Sequence, residues 1–160
     1  MASSTIVAVA AVTLLLALGT PAHASNWHCD QTPTRVKGVV ITACINNSPN
    51  YALGGAWVNV DRQVIFKNTT ASKLTVVTRA YRGMQLRKYA GFGPWGDVRW
   101  EDPVVGTHYL SPGESETVTL RRSLLEAPNR PGERWVTGGS ATVGRTTSAM
   151  STYASGDPDT

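Results

Sequence analysis

The sequence is short of charge, of cysteine and of any pattern that reads as a helix. Charged side chains make up only 16% of the 160 residues, which excludes a charge-rich disordered chain; the length excludes a long multi-domain enzyme, and the composition a collagen-like one. The two cysteines, Cys29 and Cys44, are not spaced Cys-x-x-Cys, so a thioredoxin-like redox pair is excluded. No Gly-x-Ser-x-Gly elbow occurs. No window carries a clean helical stripe, and Pro128 stops the helix formers Leu124 to Ala127 within one turn.

Charge is missing altogether from Met1 to Ala24, and Ile6 to Leu18 is an apolar run broken only by Thr13. That run is too short for a spanning helix, which needs roughly 20 apolar residues. Gly19-Thr20-Pro21 ends it, and Ala22-His23-Ala24 supplies the small-x-small pattern read by a signal peptidase. The stretch lacks the usual basic residues at its start but otherwise reads as a cleaved signal peptide. No second apolar stretch could span a membrane, so no membrane span is expected after leader cleavage. The mature chain then begins at Ser25 and keeps every charged residue, with a net charge of +4. An even cysteine pair in an exported chain predicts a Cys29–Cys44 disulfide. It would close a loop of about 15 residues, contribute about 3 kcal/mol, and staple the N-terminal segment to the first good strand.

What is abundant is Val and Thr, whose β-branched side chains suit pleated strands. Val36 to Ile45 is a nearly continuous apolar run, followed by the turn cluster Asn46-Asn47-Ser48-Pro49-Asn50. Trp57 to Lys67 alternates, with Val58, Val60, Val64 and Phe66 on one face; Arg62 breaks that face and suggests a bend or bulge. Leu74 to Tyr81, Val98 to Glu101, Val104 to Leu110, Thr117 to Arg121 and Trp135 to Val143 are further strands, separated by turns such as Ser111-Pro112-Gly113-Glu114. Beyond Arg145 the composition reads as a flexible tail. The expected fold is all-β, an antiparallel immunoglobulin-like β-sandwich of about seven strands. It would occupy residues 25–145, after a signal peptide at 1–24 and before a tail at 146–160.

Two features resemble bacterial immunoglobulin-like modules. Val64-Ile65-Phe66-Lys67-Asn68 reads as a strand ending in an Asn-containing turn, and Leu110-Ser111-Pro112-Gly113-Glu114 as a turn leading into an edge strand. The resemblance implies the fold and not an activity. The Cys–Trp–Cys core of immunoglobulin domains is absent.

The segment Arg79 to Glu101 is where a function is expected. Here Tyr89, Phe92, Trp95 and Trp100 occur together with Arg82, Arg87, Lys88 and Arg99, and Gly91-Phe92-Gly93-Pro94-Trp95-Gly96 reads as a loop. Aromatic faces take sugar rings or apolar groups, and guanidiniums take phosphate or carboxylate. These eight residues are the candidate contact surface, with Trp95 as apolar anchor. In the plainer reading, Phe92 and Trp95 fold back to cap one end of the sandwich.

The predicted protein is therefore a secreted monomer. It binds a cell-envelope polymer, polysaccharide or partner protein without catalysis, metal or cofactor, and nucleic acid is not expected. Alternatives from other classes are a small hydrolase, a protease-inhibitor-like protein and a copper-dependent polysaccharide oxidase. The last would need cleavage before His23, so that a terminal His joined His108 in an arrangement similar to the histidine brace of lytic polysaccharide monooxygenases. Cleavage after Ala24 removes that histidine. Asn46-Asn47-Ser48 and Asn68-Thr69-Thr70 match the glycosylation pattern.

Overall fold

The computed structural model describes residues 27–32, 36, 38–50, 57–89, 92–120, 126–128, 132–148 and 151–155. Among these residues there is no helix, and every strand pairing is antiparallel. The strands are β1 (Trp27–Thr32), β2 (Val39–Asn50), β3 (Trp57–Asn68), β4 (Leu74–Tyr89), β5 (Phe92–Trp95), β6 (Arg99–Trp100), β7 (Val104–Leu110), β8 (Ser115–Thr119), β9 (Glu126–Pro128), β10 (Glu133–Val143), β11 (Thr146–Thr147) and β12 (Ser151–Ser155). One sheet has the order β1-β2-β3-β8, with β9 also on β3. In the other, β10 lies between β4 and the pair β11 and β12, while β5, β6 and β7 line the far side of β4.

The sheets face each other through their apolar sides, as in a β-sandwich. Val39 and Ile41 of β2, Val64 and Phe66 of β3, Val76 and Ala80 of β4, Leu110 of β7 and Ala141 of β10 form one buried cluster. Ile45, Val60 and Trp135 form a second. At Gly139 of β10 the layers approach closely: a Cβ there would collide with Val64 and stand 3.0 Å from Ile41.

Arg62 does not bend β3. The β2–β3 register runs unbroken from Val39↔Asn68 to Asn50↔Trp57, and Arg62 is buried on the core face between the two apolar clusters. Its neighbours are fixed by ladder pairing on both sides, Ile45 on β2 and Leu120, whose N–H donates to the Arg62 carbonyl at 2.8 Å. The cysteines behave as expected. Cys29 and Cys44 oppose each other across β1 and β2 and are joined by a disulfide, which fits an oxidising compartment.

Four expectations are corrected. Asn46 to Asn50, read as a turn, continue β2, because β3 offers paired backbone along their whole length. The stretch after Gly83, read as loop, is largely strand: β4 runs on to Tyr89, pairs with β10 as far as Leu86 and is met by β5 and β6. Ala127 lies in β9, not in a helical turn. Residues 146–147 and 151–155, placed in a tail by their composition, form β11 and β12 on β10. Short pairings of this kind raise the strand number to twelve among the described residues, from about seven expected. Backbone hydrogen bonding creates them without an apolar alternation that could announce them. The leader expected at 1–24 lies outside the described residues.

Candidate functional site

Residues 82–89 and 92–100 form an arm at one end of the sandwich. β4 has 16 residues, more than β2, β3 or β10, and its last part carries the arm. β10 holds one side of it, through Trp135↔Met84, Arg134↔Gln85 and Glu133↔Leu86. On the other side β6 pairs at Gly83↔Trp100 and Met84↔Arg99, and β5 at Arg87↔Trp95 and Tyr89↔Phe92, with a register shift between the last two pairs. The shift is a bulge-like irregularity near the tip, a feature that re-aims side chains.

Each residue expected at the contact surface has a definite place. Arg82 is ion-paired, its Nε 2.7 Å from Glu101 Oε2. Trp100 lies edge-on to Tyr81, ring centroids 5.9 Å apart, and covers Gly83, where an added Cβ would stand 2.8 Å from its ring. Trp95 is half-buried rather than a free anchor. The Arg87 guanidinium carbon lies 4.6 Å from its ring centroid and that of Arg134 lies 4.2 Å away. Arg87 also donates from Nη1 to the Gly93 carbonyl at 3.1 Å. Arg134 donates from Nε to Gln85 Oε1 at 2.9 Å, and Gln85 donates in turn to the Gly96 carbonyl at 2.8 Å. This chain of bonds ties β10, β4 and β5 into one unit. Tyr89 stands 68% exposed. Phe92 is in β5; its side chain lies outside the described residues.

Lys88 and Arg99 remain exposed, with no ion-pair partner among the described residues. They border an open groove of about 410 Å³, lined also by Leu86, Arg87, Gly96, Asp97 and Val98. Three cationic side chains and one carboxylate thus share the groove. Such a surface raises the local concentration of anions.

No known protein family, characterised protein or solved structure matches this chain.

Sequence reasoning assembled the arm's residues but missed Arg134 and Gln85. Nothing in the sequence marks them, because the β4–β10 pairing that joins Gln85 to Arg134 spans a separation of 49 residues. His28 and His108 are far apart in the topology. His28 is on β1, at one edge of its sheet, and His108 is on β7, whose neighbour across the sandwich is β8 at the opposite edge. His108 Nδ1 lies 3.6 Å from Glu116 Oε2. Glu101 is held by Arg82, and Glu114 accepts from the Ser111 backbone N–H at 2.7 Å.

Proposed function

We propose that the protein is a secreted, non-catalytic immunoglobulin-like β-sandwich that binds an acidic extracellular ligand through the arm at residues 82–100. The observation that carries this reading is the open groove bordered by Lys88 and Arg99, two cations without ion-pair partners among the described residues, on an arm that also carries the exposed Tyr89 ring over Gly93. Leaving two cations unpaired beside Arg87 and Arg134 is electrostatically unfavourable in the free protein and is relieved by an anionic ligand. The exposed ring adds a face for a sugar or an apolar group. A cell-envelope polymer or acidic polysaccharide has both features.

Export is supported by the uncharged leader pattern of residues 1–24 and by the disulfide. The immunoglobulin-like reading is supported by Asn68. Its side chain donates to the Leu110 and Ser111 carbonyls at 3.0 and 3.1 Å, so the two features that carry the resemblance are joined to each other.

The test is binding of the protein, secreted by its own leader, to isolated envelope fractions at rising salt. Binding should weaken with ionic strength. The double variant Lys88→Glu, Arg99→Glu should lose at least about tenfold in affinity, or 1.4 kcal/mol, with melting unchanged because both side chains are exposed. Salt-independent binding that the double variant retains would overturn the proposal.

A further inference from the structure

The edge at β7 differs from those at β1 and β8. β7 pairs with β4 without a register break, from Leu74↔Leu110 to Ala80↔Val104, and no described strand pairs with its other side. Besides Thr107, its exposed side chains are large and apolar: Val104 is 50%, Val105 57% and Tyr109 66% exposed. Natural sheets blunt such edges with Lys, Pro, inward charges or bulges, and β7 contains no Lys, Arg, Asp, Glu or Pro. The edge strands β1 and β8 carry Asp30 and Glu116 instead.

We propose that β7 is a self-association edge that takes β7 of a second copy in antiparallel register about Thr107. Val105, Thr107 and Tyr109 alternate onto the outer face, opposite Arg79, Val77 and Thr75 of β4. A twofold axis at Thr107 sets Val105 of each copy against Tyr109 of the other, and Thr107 against Thr107. Aromatic–β-branched and Thr–Thr opposites are favourable cross-strand pairs, and a twofold interface uses the same patch twice. An axis one residue earlier would leave Tyr109 facing Pro103. Charge selects the same arrangement. Asp102, exposed and without an ion-pair partner among the described residues, precedes the strand. Exposed Lys73 stands at its far end, with Nζ 5.8 Å from the Tyr109 ring centroid. Antiparallel pairing brings the acidic end of one copy toward the basic end of the other, whereas an in-register parallel pair would set like against like. This self-complementarity points to a second copy rather than to a foreign strand, and it replaces the monomer expected from sequence. The edge is separate from the arm, so neither proposal rests on the other.

The fold already shows what a directly opposed cysteine pair does across antiparallel strands, at Cys29 and Cys44. Thr107→Cys should therefore cross-link two copies under mild oxidation, while Ser115→Cys on β8 should not. Sedimentation equilibrium of the intact oxidised protein should show a concentration-dependent dimer, with a dissociation constant micromolar or weaker because one strand edge buries less than the roughly 1,200 Å² of stable interfaces. Val105→Lys should weaken it by at least about tenfold. Asp102→Lys should weaken it too, and adding Lys73→Asp should restore it. All these side chains are exposed, so unchanged melting of the single variants confirms that they fold. A monomer up to millimolar concentration, a dimer indifferent to Val105→Lys, or equal cross-linking at Ser115→Cys would overturn the proposal.

Discussion

The Asn68 carboxamide is fully buried and uses each of its polar atoms. Nδ2 donates to the carbonyls of Ser72, Leu110 and Ser111 at 2.8, 3.0 and 3.1 Å, and Oδ1 accepts from the Thr70 N–H and hydroxyl at 2.9 and 2.7 Å. The end of β3, the turn into β4 and the turn after β7 are thereby fastened by one side chain. Asn68→Ala should cost about 2–3 kcal/mol in urea unfolding, because buried carbonyls lose their donor. Asn68→Asp should be no better, since a carboxylate cannot donate. Because the amide hydrogens are engaged in this way, the Asn68-Thr69-Thr70 pattern serves structure in the folded protein. Trp95 teaches a similar lesson. Sequence marked it as an anchor for a ligand, but two guanidiniums occupy its surroundings. Trp95→Ala should lower stability by about 1–2 kcal/mol as well as loosen the groove. Melting of Trp95→Ala beside the Lys88→Glu, Arg99→Glu variant separates support from contact: only the former should fall.

At the scale of strands and turns, β1 and the turn before β8 carry the clearest consequences. β1 pairs only with β2 among the described residues, and the disulfide pins it there. Replacing both cysteines with serine should cost about 3 kcal/mol in the chain-entropy account and expose the β1 and β2 amides to hydrogen exchange before those of β10. In the turn, Glu114 N–H donates to the Ser111 carbonyl at 3.0 Å and Gly113 takes φ +77°, as the third residue of a type II turn requires. The Ser111 backbone N–H, with further help from the Ser111 side chain and Lys73, holds the Glu114 carboxyl below its ordinary value. A lowered folded pKa means that its contribution is complete above the unfolded carboxylate value of about 4.3 and is lost as pH falls through the folded value. Glu114→Gln should lower melting modestly at neutral pH and leave it nearly unchanged in acid, so that the acid limb of the melting profile flattens. What sequence could see follows from the same physics. β7 was expected at its observed bounds, Val104–Leu110, and Trp135 to Val143 lies inside β10, because these strands have a buried side or clear turns around them. The second half of β4 was invisible. Gln85, Arg87 and Lys88 show no apolar face, since the arm is paired through its backbone and packed with cation–ring contacts. The residues of the candidate site were therefore legible by type and position in the chain, and their pairing and exposure were not.

For the whole molecule, the sandwich and the arm divide two tasks along β4. From Leu74 to Ala80 the strand supplies Val76 and Ala80 to the core and carries β7; beyond Gly83 it carries the groove. The groove can hold its shape only if β4 and β10 keep their position over β2 and β3, and that spacing is set where Gly139 faces Ile41, Val64 and Phe66. Glycine is needed here for closeness, not for a special backbone angle. A single methyl already meets Val64, so Gly139→Ala must push the sheets apart or displace a packed valine. Overpacking of this kind costs about 1–3 kcal/mol. Chemical denaturation should show that loss with an unchanged m-value, because the surface exposed on unfolding is the same. The arm lies at the far end of the same two strands, so tilting them alters its support as well. Fluorescence of the tryptophans should therefore shift in folded Gly139→Ala, and affinity for envelope fractions should fall although no groove residue has changed. If Gly139→Ala is as stable as the parent and binds as well, the layers are loosely packed, and the arm is positioned by its own hydrogen bonds alone.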